Sequence, residues 1–528
     1  NAMFDEWGNR YMYAVHKDLT NATAYAAYPS SSAGGIIIQD STATPLNTGV
    51  VPYLIMSHGK DGRGAYTKAG IYNDCSAATA DADKVNCAWK TTTGQPALTF
   101  TTDIIRDDST STDFFYDKLA WGETTTTTPA ILATELGVFV SEFHGCGINS
   151  SGELWCWGDA TDGATGSLPS TGFKDVPTQV TAVAGIWTSF YTDNSANCGI
   201  VSGQAYCWGR RNGGKIGDGG ATTGVQATPI AVSNISAEGD VIVPGSWKEI
   251  TVDYSNSCGI ADSNLGSNML YCWGVNHAGQ LGNGTTDGGV YNSYPTPMRV
   301  VDNAGTGFYT DWLTVVSGYS SACGIRDNGS GTAGTLWCWG SNTREEISSP
   351  ANPTSIPATA KPTQQGTASN WKYVAGDDQN FCAINTSTEM YCWGNNALGQ
   401  LGMTPSTSEG FSSVSSLGTD FTSASFSKST LCAIQNGKIK CMGEGDQYLL
   451  GNGPDISDYS SLQDVTGPAA AFNDFYKVHI IETFGCATRT NGEAWCWGDG
   501  SNHQFGNNGS NLGLEDEPIR AANTMLFN

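Results

Sequence analysis

The chain has 528 residues, and its 50 Asp and Glu against 25 Lys and Arg leave a formal charge of −25, while charged residues make up only 14% of it. A field this negative repels phosphate backbones, so no nucleic acid is expected as a ligand; the 39% hydrophobic and 10% aromatic content excludes global disorder, and no stretch approaches a membrane-spanning helix. Gly (66), Trp (16) and Tyr (21) are plentiful beside many Ser and Thr, which suits short strands joined by tight turns.

In chain order, Asn1 and Ala2 before Met3 read as the remnant of a cleaved expression tag. Residues 3–121 form a first module with one cysteine pair, Cys75 and Cys87, enclosing 11 residues. Its marked stretches are Asp5-Glu-Trp-Gly-Asn-Arg-Tyr-Met-Tyr-Ala-Val15 and Ser57-His-Gly-Lys-Asp-Gly-Arg-Gly-Ala-Tyr66. They resemble the globular part of type IV pilins and type II secretion pseudopilins, in which a long hydrophobic helix precedes a small antiparallel sheet. The resemblance implies pilus or pseudopilus subunits as partners, a bacterial source, membrane contact only through a helix that these residues lack, and a Cys75–Cys87 staple. An unrelated small β-rich domain is the alternative. Residues 122–130, including Gly122-Glu-Thr-Thr-Thr-Thr-Thr-Pro129, read as a low-complexity linker.

Residues 131–528 carry seven copies of one phrase. Each has a first cysteine in a short apolar segment, a turn, and a second cysteine in a Cys-Trp-Gly sequence, or Cys-Met-Gly in the sixth: Cys146/Cys156, Cys198/Cys207, Cys258/Cys272, Cys323/Cys338, Cys382/Cys392, Cys432/Cys441 and Cys486/Cys496. The second cysteines lie 51, 65, 66, 54, 49 and 55 residues apart, a period that reads as a solenoid, propeller or array. Turn clusters such as Gln435-Asn-Gly437 between the two segments mark a hairpin, and opposed residues on antiparallel strands are close enough for a disulfide. All 16 cysteines fall into such pairs, which argues for structural disulfides and an oxidising compartment. Free buried thiols and metal sites are the alternatives, although zinc favours cysteines two to four residues apart. With an apolar segment before each first cysteine and a Pro-led one after several repeats, each unit holds about four strands, the content of a propeller blade.

Glycine clusters follow several Trp-Gly pairs: Gly214-Lys-Ile-Gly-Asp-Gly219, Gly279-Gln-Leu-Gly-Asn-Gly284 and Gly399-Gln-Leu-Gly402. The order Trp-Gly, Gly-Gln-Leu-Gly, Pro and next repeat resembles the RCC1-type (regulator of chromosome condensation) repeat. That resemblance implies a mainly β chain with a seven-bladed propeller. Two copies depart from the pattern: Met442 replaces the tryptophan in the sixth, and Ser341-Asn-Thr-Arg-Glu-Glu346 has no glycine cluster in the fourth. The final segment, Pro518 to Phe527, looks like the opening of a further repeat, so a C-terminal strand is expected to complete the first blade.

Motifs of chemistry are weak. Gly329-Ser-Gly-Thr-Ala-Gly334 has dinucleotide-fingerprint spacing but lies inside a hairpin, and Gly209 to Lys215 imitates a phosphate loop but puts Ile216 where a Ser or Thr should hold magnesium. The six histidines are scattered, and no Gly-x-Ser-x-Gly elbow occurs. No cofactor is expected, calcium at an acidic loop such as Asp74 to Asp83 being the one ion in question. The expected function is an extracellular or periplasm-facing adhesion protein, not an enzyme, that carries its propeller at a filament tip and takes a protein or glycan ligand. A secreted inhibitor and a carbohydrate hydrolase are the rivals. Cysteine spacings of 14 and 15 in the third and fourth repeats suggest enlarged hairpin loops, 262–268 and 327–335, forming one polar patch with Asn264, Asn268, Asn328 and Thr332 as candidate binding residues.

Overall fold

The computed structural model describes residues 137–521, apart from 150, 169, 194, 348–357, 378, 409, 412–415 and 507–512, together with five strands nearer the N-terminus. The chain divides into two compact units, Asn1–Thr128 and Pro129–Asn528.

In the first unit Met12–Val15, Tyr53–Ser57 and Lys118–Gly122 form a three-stranded antiparallel sheet with Tyr53–Ser57 at its centre, and Ile37–Gln39 pairs in parallel with Thr99–Thr101. Gly122, expected in the linker, is the last residue of a strand opposite Tyr53. The expected tag remnant, the Cys75–Cys87 pair, the acidic loop 74–83 and linker residues 123–130 lie outside the described residues.

In the second unit each repeat builds its own antiparallel sheet from consecutive strands. The first repeat uses Gly137–Val140, His144–Ile148, Leu154–Asp159 and Phe173–Gln179. The fourth and fifth are joined into one seven-stranded sheet where Gly334 meets Trp371. The first strands of successive repeats are Gly137–Val140, Trp187–Asp193, Glu249–Val252, Trp312–Ser317, Trp371–Asp377, Phe421–Ser427 and Phe475–Ile480. Each contacts the next, and the seventh contacts the first, so the sheets close into a ring around a central channel.

Among the described residues seven disulfides join the second and third strands within repeats: Cys146–Cys156, Cys198–Cys207, Cys258–Cys272, Cys323–Cys338, Cys382–Cys392, Cys432–Cys441 and Cys486–Cys496. In every pair the two cysteines are directly opposed in the ladder, with Cα atoms 4.0 to 4.1 Å apart. Outside them, the fourth strand pairs across an irregularity at the Trp-Gly step. Thus Cys207 faces Ile230 and Gly209 faces Gln226, leaving Pro229 where the ladder asks for no donor. Proline there costs no hydrogen bond and blunts the outer edge against pairing with another chain.

The core lies between sheets rather than within one, since each sheet is too thin to bury its own faces. One cluster spans the second and third repeats, and another joins Val138, Val140 and Trp157 of the first to Phe484, Cys496 and Phe505 of the seventh. The repeated tryptophan is the clasp. Trp208 Nε1 donates to the Ala164 carbonyl at 3.1 Å, Trp273 to Lys215 at 2.8 Å, Trp339 to Gln280 at 2.9 Å, Trp393 to Glu346 at 2.9 Å and Trp497 to Leu449 at 2.8 Å. Each acceptor belongs to the loop that follows the third strand of the preceding repeat, in most repeats a glycine cluster. That loop must stay bare: Gly217 has φ +76°, and a Cβ there would lie 2.5 Å from Trp273 Nε1. The fourth repeat keeps the clasp without glycine because the acceptor is a backbone carbonyl, Glu346 O, with Glu345 at φ +62°.

Ring closure differs from the expectation. Leu514–Arg520 is the outer strand of the seventh sheet, paired with Ala494–Asp499, and the first sheet draws all four of its strands from its own repeat. The seam is closed instead by side chains, with Trp157 Nε1 donating to the Gln504 carbonyl at 2.6 Å. A strand that follows a short loop pairs with its immediate neighbour at lower entropic cost than with one far away in the chain.

Of the two long hairpins, that of the third repeat differs from the expectation and that of the fourth keeps its enlarged loop. In the third repeat, Asn256–Ser263 and Gly266–Val275 pair up to Ser263 opposite Gly266, so the additional residues lengthen the ladder and leave Asn264 and Leu265 as the turn. In the fourth, Asp327 faces Gly334, and the intervening loop folds back so that Asp327 Oδ1 accepts from the Gly329 and Gly331 amides, both at 2.9 Å.

Candidate functional site

The fourteen described cysteines singled out by their spacing form structural disulfides. Cys156, Cys207, Cys272, Cys338, Cys392, Cys441 and Cys496 are buried with their partners Cys146, Cys198, Cys258, Cys323, Cys382, Cys432 and Cys486, and none lines either cavity described below. Among the described residues no cysteine is free, which sets aside buried thiols there. Cys75 and Cys87 lie outside those residues.

Strands that run alternately up and down put the turns between first and second strands, and the glycine-cluster loops, on one face of the ring. The hairpin turns between second and third strands emerge on the other. Asn264, Asn268, Asn328 and Thr332 therefore lie on this second face. Three of these side chains bond within the protein: Asn264 Oδ1 accepts from the Val241 amide at 2.8 Å, Lys248 donates to Asn268, and Asn328 Nδ2 donates to the Ser369 carbonyl at 2.6 Å. Thr332 is exposed.

The first face holds a cavity of about 330 Å³ at the mouth of the channel, and every repeat contributes to it through the same turn: Glu142, Asp193, Asp253 with Tyr254, Tyr319, Asp377 with Gln379, Lys428, and Glu482 in order. Five carboxylates thus converge with one exposed lysine. An adjoining cavity of about 340 Å³ shares Glu142 and Tyr254 with the first and adds Phe143, Asp159, Asp162 and Arg210, the last ion-paired to Asp162 at 2.5 Å. From Tyr254 a run of rings leads outward over the third and fourth repeats: Tyr254 to Tyr319 at 5.2 Å, Tyr319 to His277 at 6.3 Å, and His277 stacked on Tyr291 at 4.4 Å.

Lys215 lies fully buried beneath this surface, at the position where other repeats carry Gln280, Gln400 and Gln504. Its Nζ donates to the Tyr254 carbonyl at 3.0 Å and pairs with Asp193 at 3.4 Å, so it pins the third turn and answers one carboxylate. Deeper in the channel, burial raises the Tyr191 phenol well above its usual range, with Asp377 and Asp253 adding to the effect. Burial, with the nearby Lys477 adding to it, lowers His479 to about 3, and its Nδ1 accepts from the Val140 amide at 3.2 Å across the seam. Among the described residues no group of three or more His, Cys, Asp or Glu is placed to hold a metal ion.

Sequence reasoning passed over these mouth residues, yet a signal existed. Glu142, Asp193, Asp253, Asp377 and Glu482 each stand four or five positions before the first cysteine of their repeats.

The ring of sheets is an RCC1-like β-propeller: a family model described as the regulator of chromosome condensation (RCC1) repeat matches residues 267–325, and solved RCC1 structures share the fold. Human WBSCR16 is 17% identical with a TM-score of 0.56, covering 70% of this chain and 95% of its own. Prp20p from Saccharomyces cerevisiae is also 17% identical with a TM-score of 0.56, covering 74% and 88%. Among curated proteins, the human E3 ubiquitin-protein ligase HERC2 is 24% identical over 373 residues, which is 68% of this chain but 7% of that relative, and the mouse protein matches equally.

Proposed function

We propose that this chain is a binding protein of an oxidising, extracellular or cell-surface setting, in which a seven-bladed RCC1-like propeller recognises a protein partner. The first unit, by its resemblance to pilins, would join the propeller to a pilus or pseudopilus, at the tip of the filament because so large a head crowds every other position. The observation that carries the binding role is the channel mouth, where all seven repeats direct side chains to one cavity that the hydrophobic clusters between sheets do not require. Seven disulfides suggest the oxidising setting. The yeast propeller of similar shape is described by its binding to Gsp1p and histones, and in a second structure by its complex with Kap60, so a protein ligand is a use this fold admits.

The test is to screen the full chain against purified secreted and surface proteins and against glycans, with hydrolysis of each glycan followed alongside. Saturable binding of a protein without turnover is expected. Glycan turnover abolished by one carboxylate substitution would overturn this reading in favour of an enzyme.

A further inference from the structure

We propose that the first face of the propeller carries a cleft for a neutral oligosaccharide, a ligand additional to the protein partner and independent of that reading. The cleft has two parts that meet at Tyr254. One is the cavity of about 340 Å³ beside the channel mouth, and the other is the run of aromatic rings that leads outward over the third and fourth repeats.

The cavity sets apolar faces beside hydrogen-bonding groups of both kinds. Phe143 and Tyr254 line it and both are exposed, and Asp159, Thr161, Arg210 and Asn212 line it with them. The protein uses these polar groups only in part. Asp159 Oδ1 accepts from the Thr161 amide at 2.7 Å and from its hydroxyl at 2.5 Å, and Arg210 donates to Asp162 through Nε. A carboxylate has several acceptor sites and a guanidinium several donors, so both kinds remain for a ligand at one place. A sugar ring needs this combination. Each of its hydroxyls donates and accepts, while its C–H face is apolar and meets the negative face of an aromatic ring.

The run of rings is a second, separate observation, and it is built before any ligand arrives. Tyr254 is 50% and Tyr291 61% exposed, so a ligand can cover both. Between them His277 is fixed from two sides, with Gln280 Nε2 3.1 Å from Nδ1 and Ser320 Oγ 3.3 Å from Nε2. The Ala278 amide donates to Gln280 Oε1, which leaves Gln280 Nε2 to donate to Nδ1 and puts the imidazole proton on Nε2. Burial lowers His277 below its usual range against the pull of Asp287, so the ring on which Tyr291 stacks is uncharged at neutral pH. The loop that presents Tyr291 is tied back by two bonds of 3.1 Å, from the Asp287 amide to the Asn276 carbonyl and from the Gly289 amide to the His277 carbonyl. Rings held in place in the free protein lose little freedom when a ligand lies across them.

Charge chooses among ligands that stack on aromatic rings. Nucleotides and acidic sugars are repelled by Asp159 and Asp162 in the cavity and by the net charge of −25. For a cation the protein supplies its own, Arg210 on Asp162. A neutral polyol fits both the donors and the acceptors.

The experiment titrates the full chain by calorimetry with cellotetraose, chitotetraose, mannotetraose and galactotetraose, with tetragalacturonate as the anionic comparison, and follows hydrolysis by chromatography. Expected is one-to-one binding of at least one neutral tetrasaccharide without cleavage, and no binding of tetragalacturonate. Tyr254→Ala combined with Tyr291→Ala should weaken that tetrasaccharide about tenfold, each stacked face contributing a factor of a few. Arg210→Met, which takes donors from the cavity, should weaken it by a similar factor. Val241→Ala combined with Leu265→Ala trims exposed side chains at the hairpin turn on the opposite face and should change affinity by less than about twofold. Melting temperature certifies that each variant is folded. Failure of all four neutral chains to bind overturns the proposal, as does equal weakening by the tyrosine pair and the opposite-face pair, or none by the tyrosine pair. A protein from the screen that loses affinity with the tyrosine pair while no tetrasaccharide binds assigns these rings to protein contact and also overturns it. Failure of the protein screen fails the protein reading and leaves the cleft to be judged by the sugars alone.

Discussion

Acid should loosen this propeller through His144. The imidazole is fully buried between the first two repeats, with Ser141 Oγ against Nδ1 and Nε2 donating to Asn197 Oδ1 at 2.9 Å. Burial lowers it from 6.5 to about 4, against the opposing pull of the Asn197 bond and of Asp159. An unfolded chain takes up this proton near 6.5 and the folded one only near 4, so between those values the unfolded state binds more protons. Stability is then complete above the higher value and is lost as pH falls through the window. At about 1.4 kcal/mol per unit, His144 alone costs roughly 2 kcal/mol at about pH 5 and roughly 3 at about pH 4. Urea unfolding with disulfides intact, at about pH 7 and pH 5, compares the native chain with His144→Gln, which retains an amide donor for Asn197. The variant should start less stable at neutral pH and lose about 2 kcal/mol less on acidification. Identical acid losses in both proteins would refute the argument.

Trp157→Phe removes the indole donor that closes the ring and leaves the Gln504 carbonyl buried without its bond, a loss of about 1–3 kcal/mol before the lost packing is counted. Calorimetry should show a lower melting temperature, and hydrogen exchange should quicken first in 137–140 and 475–480; an unchanged melt would show that the seam does not depend on this clasp. Reduction of the seven described disulfides should lower the melting temperature markedly, each local loop contributing on the order of 2–4 kcal/mol in the chain-entropy account. Peptide mapping of the oxidised chain should return only pairs within repeats, and a bond between repeats would contradict the hairpin register.

The sequence by itself determined what is local. The two cysteines of each described pair are 9 to 15 residues apart on strands joined by one turn, so their spacing, the turn residues and the alternation of apolar segments specify hairpin, staple and sheet without reference to the rest of the chain. Tertiary structure alone decided what each repeat does for another. A tryptophan in Cys-Trp-Gly looks like a core residue of its own sheet, but its partner is a carbonyl in the preceding repeat, 347 residues away for Trp157. The longer hairpin of the third repeat looked like an enlarged loop because spacing counts residues and is silent on pairing, while the side chains of Asn264 and Asn328 find partners at Val241 and Ser369. The mouth was hidden for the same reason. Each repeat contributes one or two ordinary turn residues, and only closure of the ring brings Glu142 and Glu482, 340 positions apart, to one cavity.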